Sequence, residues 1–315
     1  YLISWDAALN LLAKDFYDVL NSYGFTVIPL FVLMGQVAFN SGIAKRLFDA
    51  SYKFIGHIPG GLAMATVVGA TAFKSICGSS PATAATFASV AVPEMDRYNY
   101  DKRLSTGIVA SVGTLGILLP PSVTLIIYGI ITDQSIGRLF LAGIFPGLII
   151  AFFFVVVIYG WCKMNPAIGP KGEKSTWGER IRSIPEVIWV VLIFFLVIGG
   201  ILKGFFTPTE AGSVGTFLVL LLTMTKRDLN IKGYIKSVAE SLRTACMVIL
   251  LIAGSTVLGH FIAVTKIPMI TADWIVSLQM PSWVILLFIS LIYLIGGSFI
   301  DDLAFMILAT PIFYP

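Results

Sequence analysis

Gly78-Ser79-Ser80-Pro81 interrupts two apolar runs. Glycine permits a non-helical turn. Proline lacks an N–H and suits the first turn of a returning helix. The two serines, with Thr83, add hydroxyl oxygens. Freed carbonyls plus hydroxyls are what a hard monovalent cation such as Na⁺ needs. A second break lies inside 104–132, a stretch with no charged side chain, where Gly113-Thr114-Leu115-Gly116 is followed by Pro120-Pro121-Ser122. The adjacent prolines remove a donor and leave carbonyls without partners. Lipid cannot hydrogen-bond a backbone, so unwound chain at membrane depth survives only in a protein-enclosed polar setting. Two such breaks close together point to an ion or substrate site in a secondary transporter. The competing reading is kinked membrane helices, repaired by their neighbours, whose small residues only let helices pack closely.

Other polar residues offer further chemistry. Asp301 and Asp302 follow Gly296-Gly297-Ser298. An intramembrane carboxylate is costly and usually functional, as a cation ligand or a proton acceptor; alternatively both lie in water or pair with a lysine. Lys74 stands one helical turn before Gly78 and could meet a substrate carboxylate, or snorkel or pair with an acid. His260 reads as a hydrogen-bonded packing residue, Glu210 as a helix N-terminal cap, and Asp133 with Arg138 as an outer-loop pair. Gly169–Thr176 only superficially suggests a phosphate loop, because Glu173 stands where glycine must precede Lys174. Neither H-E-x-x-H nor G-x-S-x-G occurs. With two histidines in the chain and isolated Cys77, Cys162 and Cys246, a transition-metal site or disulfide framework is not expected. No ATP engine is visible, so transport would draw on an ion gradient or a partner.

The elements that must position these residues are membrane helices. Hydrophobic residues make up 57% of the chain and charged residues 12%, against about 25% charged in soluble domains. Mean hydropathy is +0.91, and the apolar residues come in long runs. The net charge of +4 does not suggest nucleic acid, since the basic residues cluster between spans. Spans are expected at 19–44, 104–132 (broken), 139–162, 187–202, 211–225 and 244–265. Apolar hairpins are expected at 58–93 and 281–315, the first tipping at Gly78-Ser79-Ser80 and the second turning near Gly297-Ser298 and Asp301-Asp302. No cleavable signal peptide is read. The chain starts at Tyr1 and stops at Pro315 within an apolar segment, so both ends are expected to be cut.

Lys and Arg concentrate in short cytoplasmic loops. Lys45, Arg46 and Lys53; Arg97, Lys102 and Arg103; Lys163, Lys171, Lys174, Arg180 and Arg182; and Lys226, Arg227, Lys232, Lys236 and Arg243 then all lie inside. Lys14, Arg138, Lys203 and Lys266 fall outside, and Lys74 lies in a hairpin arm. The two hairpins then enter from opposite faces. Each is preceded by a span and a short connector, as in an inverted-repeat transporter. The partner of the broken span would follow Pro315. The expected fold is therefore an all-α polytopic membrane protein. Its expected division is 1–57 (outer segment, scaffold span and basic connector), 58–132 (hairpin 1 and broken helix), 133–280 (scaffold spans) and 281–315 (hairpin 2).

Several long motifs occur in one order: Cys77-Gly78-Ser79-Ser80-Pro81-Ala82-Thr83-Ala84-Ala85-Thr86, Val92-Pro93-Glu94-Met95, Gly113-Thr114-Leu115-Gly116-Ile117-Leu118-Leu119-Pro120-Pro121-Ser122, Tyr128-Gly129, Gln134-Ser135-Ile136-Gly137 and Thr207-Pro208-Thr209-Glu210-Ala211-Gly212. Over about 28–315 the chain resembles the large membrane subunit of tripartite ATP-independent periplasmic (TRAP) transporters. The resemblance implies a bacterial inner-membrane, Na⁺-driven importer of small organic acids. It implies a small membrane subunit and a periplasmic solute-binding protein as partners, and a mobile domain of two hairpins and two broken helices moving as an elevator. One Na⁺ site would use Gly78, Ser79, Ser80 and Pro81 with Gly113, Thr114 and Gly116. A second would use Gly297, Ser298 and Asp301 or Asp302. Thr83, Pro120, Pro121, Ser122 and Lys74 are the candidate substrate contacts, and no cofactor is expected beyond Na⁺ as coupling ion. The rival expectation is a channel or membrane scaffold with static broken helices, or an inactive truncated fragment.

Overall fold

The computed structural model describes residues 4–266, 269–270, 277 and 280–313. Among them every regular element is helical. The chain runs through α1 (Trp5–Asn21), a 3₁₀ turn (Tyr23–Thr26), α2 (Val27–Asn40), α3 (Ile43–Ile55), α4 (Gly61–Lys74), α5 (Ser80–Arg97), α6 (Lys102–Leu118), α7 (Val123–Ile131) and α8 (Ile136–Met164). It continues through α9 (Trp177–Leu202), α10 (Pro208–Thr225), α11 (Ile231–Val264), α12 (Ser282–Phe299) and α13 (Asp302–Phe313). Among the described residues six stretches are long and apolar enough to cross a membrane, from Tyr23–Asn40 to Ser282–Phe299. With its continuous apolar helices this is a multi-pass membrane protein.

The chain forms two compact units. The larger comprises Thr26–Leu125 and Ser135–Thr244; the other comprises the segment through Phe25, Ile126–Gln134 and the part from Ala245 onward. In the larger unit α4 lies at the centre. It packs against α3, α5, α6, α8 and α9, and Leu62, Ala63, Met64, Ala65, Val67, Ala70 and Phe73 are all buried. A Cβ on Gly69 would stand 3.1 Å from the Phe48 Cα, so α3 and α4 touch backbone to backbone. At 14 residues and about 1.5 Å per residue, α4 is too short to cross a hydrocarbon core of about 30 Å. Helix α10 packs on α2 in the same way. A Cβ on Gly212 would lie 3.2 Å from Leu30 Cβ, and Thr216 Oγ1 donates to the Leu30 carbonyl at 2.8 Å.

Several element boundaries differ from those expected. The span expected at 19–44 is interrupted: α1 stops at Asn21, and α2 stops at Asn40 before left-handed Gly42. The basic connector is itself helix α3, because Ile43, Ala44, Leu47, Phe48, Ala50 and Ser51 recur at helical spacing and bury one face. Helices α9 and α11 begin well before 187 and 244. Charged residues near a helix end do not stop it, and α9 has a complete capping box from Thr176 and Glu179. Glu210 caps α10 as expected, accepting from the Thr207 N–H at 2.8 Å.

The basic side chains are tied down at one corner. Arg46 makes two parallel bonds to Asp228, at 2.8 and 2.7 Å, and its Nε lies 2.9 Å from Glu186. Lys226 donates to the same Glu186 at 2.6 Å. This joins α3, α9 and the α10–α11 turn. A second tie runs beneath the α4–α5 pair, where the loop at 165–176 crosses. Gly60 N donates to Gly169 O, Asp101 N to Ile168 O and Gly172 N to Gly56 O, at 2.9, 3.0 and 2.9 Å. The Tyr100 hydroxyl donates to Pro170 O at 2.8 Å while accepting from Leu62 N–H at 3.2 Å. Hydrogen bonding with Tyr52 pushes the Tyr98 phenol up to about 12, and burial raises that of Tyr100. Both hydroxyls keep their protons.

Two measurements check these ties. Thr207→Ala removes the α10 cap and is expected to cost about 1 kcal/mol, seen as a lower thermal midpoint in detergent with unchanged helical content. Asp228→Ala strips Arg46 of a bidentate partner. It should cost on the order of 1.5–3 kcal/mol and lower the midpoint further; a midpoint equal to wild type would show that Glu186 alone satisfies Arg46.

Candidate functional site

The first break lies where expected. Helix α4 ends at Lys74, and its last turn tightens through Ser75 N to Ala72 O and Ile76 N to Phe73 O. Ser79 is extended and caps α5, its hydroxyl accepting from Ala82 N at 3.3 Å. Pro81 sits in the first turn, where its missing N–H costs nothing. The second break is narrower than expected. Helix α6 continues to Leu118, so Gly113, Thr114 and Gly116 are helical and only 119–122 is unwound. Pro120 and Pro121 occupy that segment, joined by a cis peptide bond. The Ser122 hydroxyl bridges it, donating to Ile117 O at 2.7 Å and accepting from Leu125 N at 3.4 Å.

These two breaks meet. A Cβ on Gly78 would collide with the Pro121 carbonyl and stand 3.5 Å from Val123 N. A Cβ on Gly113 would stand 3.3 Å from Ala84 Cβ and 3.6 Å from the Ser80 carbonyl. Thus the C-terminal ends of α4 and α6 and the N-terminal ends of α5 and α7 converge. Helix C-termini favour cations and N-termini favour anions, so the arrangement offers both fields at one place. Thr114 is not part of the junction. Its side chain is exposed and donates back to Ser111 O at 2.7 Å.

Lys74 sits inside the junction. It is 0% exposed, and its Nζ donates to the Ser79 carbonyl at 2.8 Å. A Cβ on Gly116 would collide with that Nζ and stand 2.9 Å from Ser80 Oγ. The glycine is therefore needed for room and not for a turn. Thr83 is also buried, with its hydroxyl on the Ser79 carbonyl at 3.0 Å. Pro120, Pro121 and Ser122 are buried too, while Pro81 is exposed.

Two residues the sequence reading passed over complete the junction. Gly143 and Gly147 of α8 face the second break. A Cβ on Gly143 would collide with the Leu118 carbonyl, and one on Gly147 would stand 2.8 Å from Leu119 Cδ2. Their signal was present, since Gly143-x-x-x-Gly147 in an apolar span is a close-packing pattern. Gly35 of α2 closes the other side, where its Cβ would meet Cys77 Sγ at 3.3 Å.

In the smaller unit, α12 and α13 form the second hairpin, and Gly297 and Ser298 lie within α12 instead of at its turn. The chain turns at Ile300 and Asp301. The Asp301 carboxylate caps α13, accepting from Leu303 N at 3.1 Å and Ala304 N at 3.3 Å. Ser298 Oγ donates to Leu294 O at 2.6 Å, and Asp302 opens α13. The last residues expected for this hairpin, 314–315, lie outside the described residues. Elsewhere in this unit His260 Nδ1 lies 2.8 Å from buried Asp15; the expected hydrogen bond is present, but the ring is exposed and not a packing residue. An open cavity of 430 Å³ beside the pair is lined by Asp18, Ser22, Ser255 and Thr256. No group of three or more His, Cys, Asp or Glu side chains suited to a metal occurs among the described residues.

Comparison with known proteins bears directly on this arrangement. The family model described as "Tripartite ATP-independent periplasmic transporter, DctM component" matches residues 1–315. The chain is 35% identical over 315 residues to the C4-dicarboxylate TRAP transporter large permease protein DctM of Pseudomonas aeruginosa, covering 100% of this chain and 73% of that protein. It is 32% identical to the sialic acid TRAP transporter large permease protein SiaM of Vibrio cholerae, with coverage of 100% and 73%. It is also 32% identical to the isethionate TRAP transporter permease protein DctMQ of Oleidesulfovibrio alaskensis, covering 98% of this chain and 48% of that protein. These relatives are transporter permeases and not enzymes. The chain belongs to the DctM-component family of TRAP transporters, as a large permease subunit.

Proposed function

We propose that this permease imports a small organic anion by coupling its movement to Na⁺. The observation that carries the reading is the convergence of four helix ends around Gly78, Pro121, Lys74 and Gly116. Each of the three relatives above is named for an organic anion, and the α5 and α7 N-termini suit a carboxylate. The first Na⁺ site draws on Gly78, Ser79, Ser80 and Pro81 with the α6 end at Gly113 and Gly116; exposed Thr114 drops out of the set expected from the sequence. The second draws on Gly297, Ser298, Asp301 and Asp302. Thr83, Pro120, Pro121, Ser122 and Lys74 border the substrate. Na⁺ at the tips fixes the hairpins so that the anion can bind.

In this reading both hairpins are re-entrant and belong to inverted repeats. The short length of α4 supports this for the first. Segments 58–132 and 281–315 move as an elevator against the scaffold spans of 1–57 and 133–280. A periplasmic solute-binding protein delivers the substrate, a small membrane subunit completes the complex, and the assembly resides in a bacterial inner membrane.

Proteoliposomes holding the complete complex and loaded binding protein test the proposal. Uptake is expected with an inward Na⁺ gradient and to fall at least tenfold when choline replaces Na⁺; equal uptake in the two cations refutes sodium coupling. Gly116→Leu drives a side chain into the space of the Lys74 ammonium, and Ser79→Ala removes the α5 cap. Both are expected to abolish uptake while membrane expression stays at the wild-type level.

A further inference from the structure

The Ser79 carbonyl is approached by more donors than it has lone pairs. Lys74 Nζ lies at 2.8 Å, Thr83 Oγ1 at 3.0 Å and the Thr83 N–H at 3.2 Å, whereas a carbonyl oxygen offers two lone pairs. Lys74 is wholly buried, and its amine fills the space that any side chain at Gly116 would need, with Ser80 Oγ beside it. The C-terminal ends of α4 and α6, which favour positive charge, meet at this point. The oxygens of the first tip therefore already face a cationic group, and that group is covalently tethered.

A sodium ion bound to the same oxygens would stand next to the ammonium. Two like unit charges about 4 Å apart, at the effective dielectric of a protein, repel strongly enough to change a binding constant roughly a thousandfold. Joint occupancy is strongly opposed by charge.

We propose that Lys74 is a built-in competitor for the first sodium site. Its ammonium holds the Ser79 carbonyl when no Na⁺ is bound there, and Na⁺ enters only as the ammonium withdraws. The inference rests on the sodium-coupled reading and adds what sets the affinity of that site. In the ion-free state the ammonium supplies the positive charge that the α4 and α6 C-termini favour. The tethered amine thus weakens Na⁺ binding while keeping the hairpin ordered.

Sodium titration of the purified protein, followed by thermal stabilisation at constant ionic strength with choline as the balancing cation, tests this. Half-saturating Na⁺ is expected to be at least tenfold lower in Lys74→Met than in wild type. An unchanged value with the sodium response retained overturns the competition and leaves sodium coupling standing. A weakened or lost response in the variant also overturns it, because the amine would then assist the ion. No response in either protein overturns both readings. A second measurement needs no substitution: amine-reactive labelling of wild-type protein, with Lys74 read out by peptide mass spectrometry. Labelling is expected to be several-fold faster in NaCl than in choline chloride, and equal rates overturn the proposal.

Discussion

A helix that ends inside a membrane strands as many as four carbonyls or four N–H groups, and lipid can satisfy none of them. The larger unit brings such helix ends to one another and walls them in with protein. The α4 and α6 C-termini face Lys74, and the Ser79 carbonyl takes its amine. The α5 N-terminus is capped by Ser79, and the short α7 is started by Ser122. Glycines on α8 and α2 let neighbouring backbones close over the gap. Helix ends kept free of lipid in this way supply the local fields on which a transport site can be built.

Much of this was legible from residue types alone. Pro81 after Ser79-Ser80 and the pair Pro120-Pro121 cannot continue a helix, and both breaks stand where those residues stand. The Thr207–Glu210 cap was also readable, because it depends on local spacing; His260 is hydrogen-bonded as expected, but its ring is exposed and the buried member of the pair is Asp15. What failed were the edges. Gly113 and Gly116 looked like part of a break, and Gly297 and Ser298 like part of a turn, yet all four are helical. The basic connector 45–53 looked like a loop because charge was read before periodicity, whereas its buried face repeats at helical spacing. No local pattern says which carbonyl Lys74 reaches, since that depends on a tip five residues further along folding back.

The basic corner of the larger unit is organised differently from its centre. There the elements are held by side-chain charge and by a hydrogen-bonded loop, with Arg46, Asp228, Glu186 and Lys226 at one corner and the 165–176 loop beneath α4 and α5. Half-exposed ion pairs contribute little singly and more as a network. Their geometry is specific nonetheless: the Arg46–Asp228 pair is bidentate, and such pairs fix orientation as well as attraction. The base of the first hairpin is thus fastened by directional bonds, while its tip is held by packing and by one buried amine.

Glycine serves two separate purposes in this chain, and the distinction carries the functional argument. Gly42, Gly60 and Gly204 adopt positive φ, where a side chain would strain the backbone. Gly78, Gly116, Gly143 and Gly147 do not, but a Cβ there would collide with a neighbour, and at Gly113 it would be tight against Ala84. A sequence cannot separate the two classes, because both read as Gly. The structure does: Gly78, Gly116, Gly143 and Gly147 of the second class stand at the junction of α4, α5, α6, α7 and α8, and others, such as Gly200 and Gly215, stand elsewhere. Substitution in the first class would disturb turns at the ends of helices. In the second class it would push on packed neighbours: a side chain at Gly78 meets the Pro121 carbonyl, and one at Gly116 meets the Lys74 amine that holds the Ser79 carbonyl.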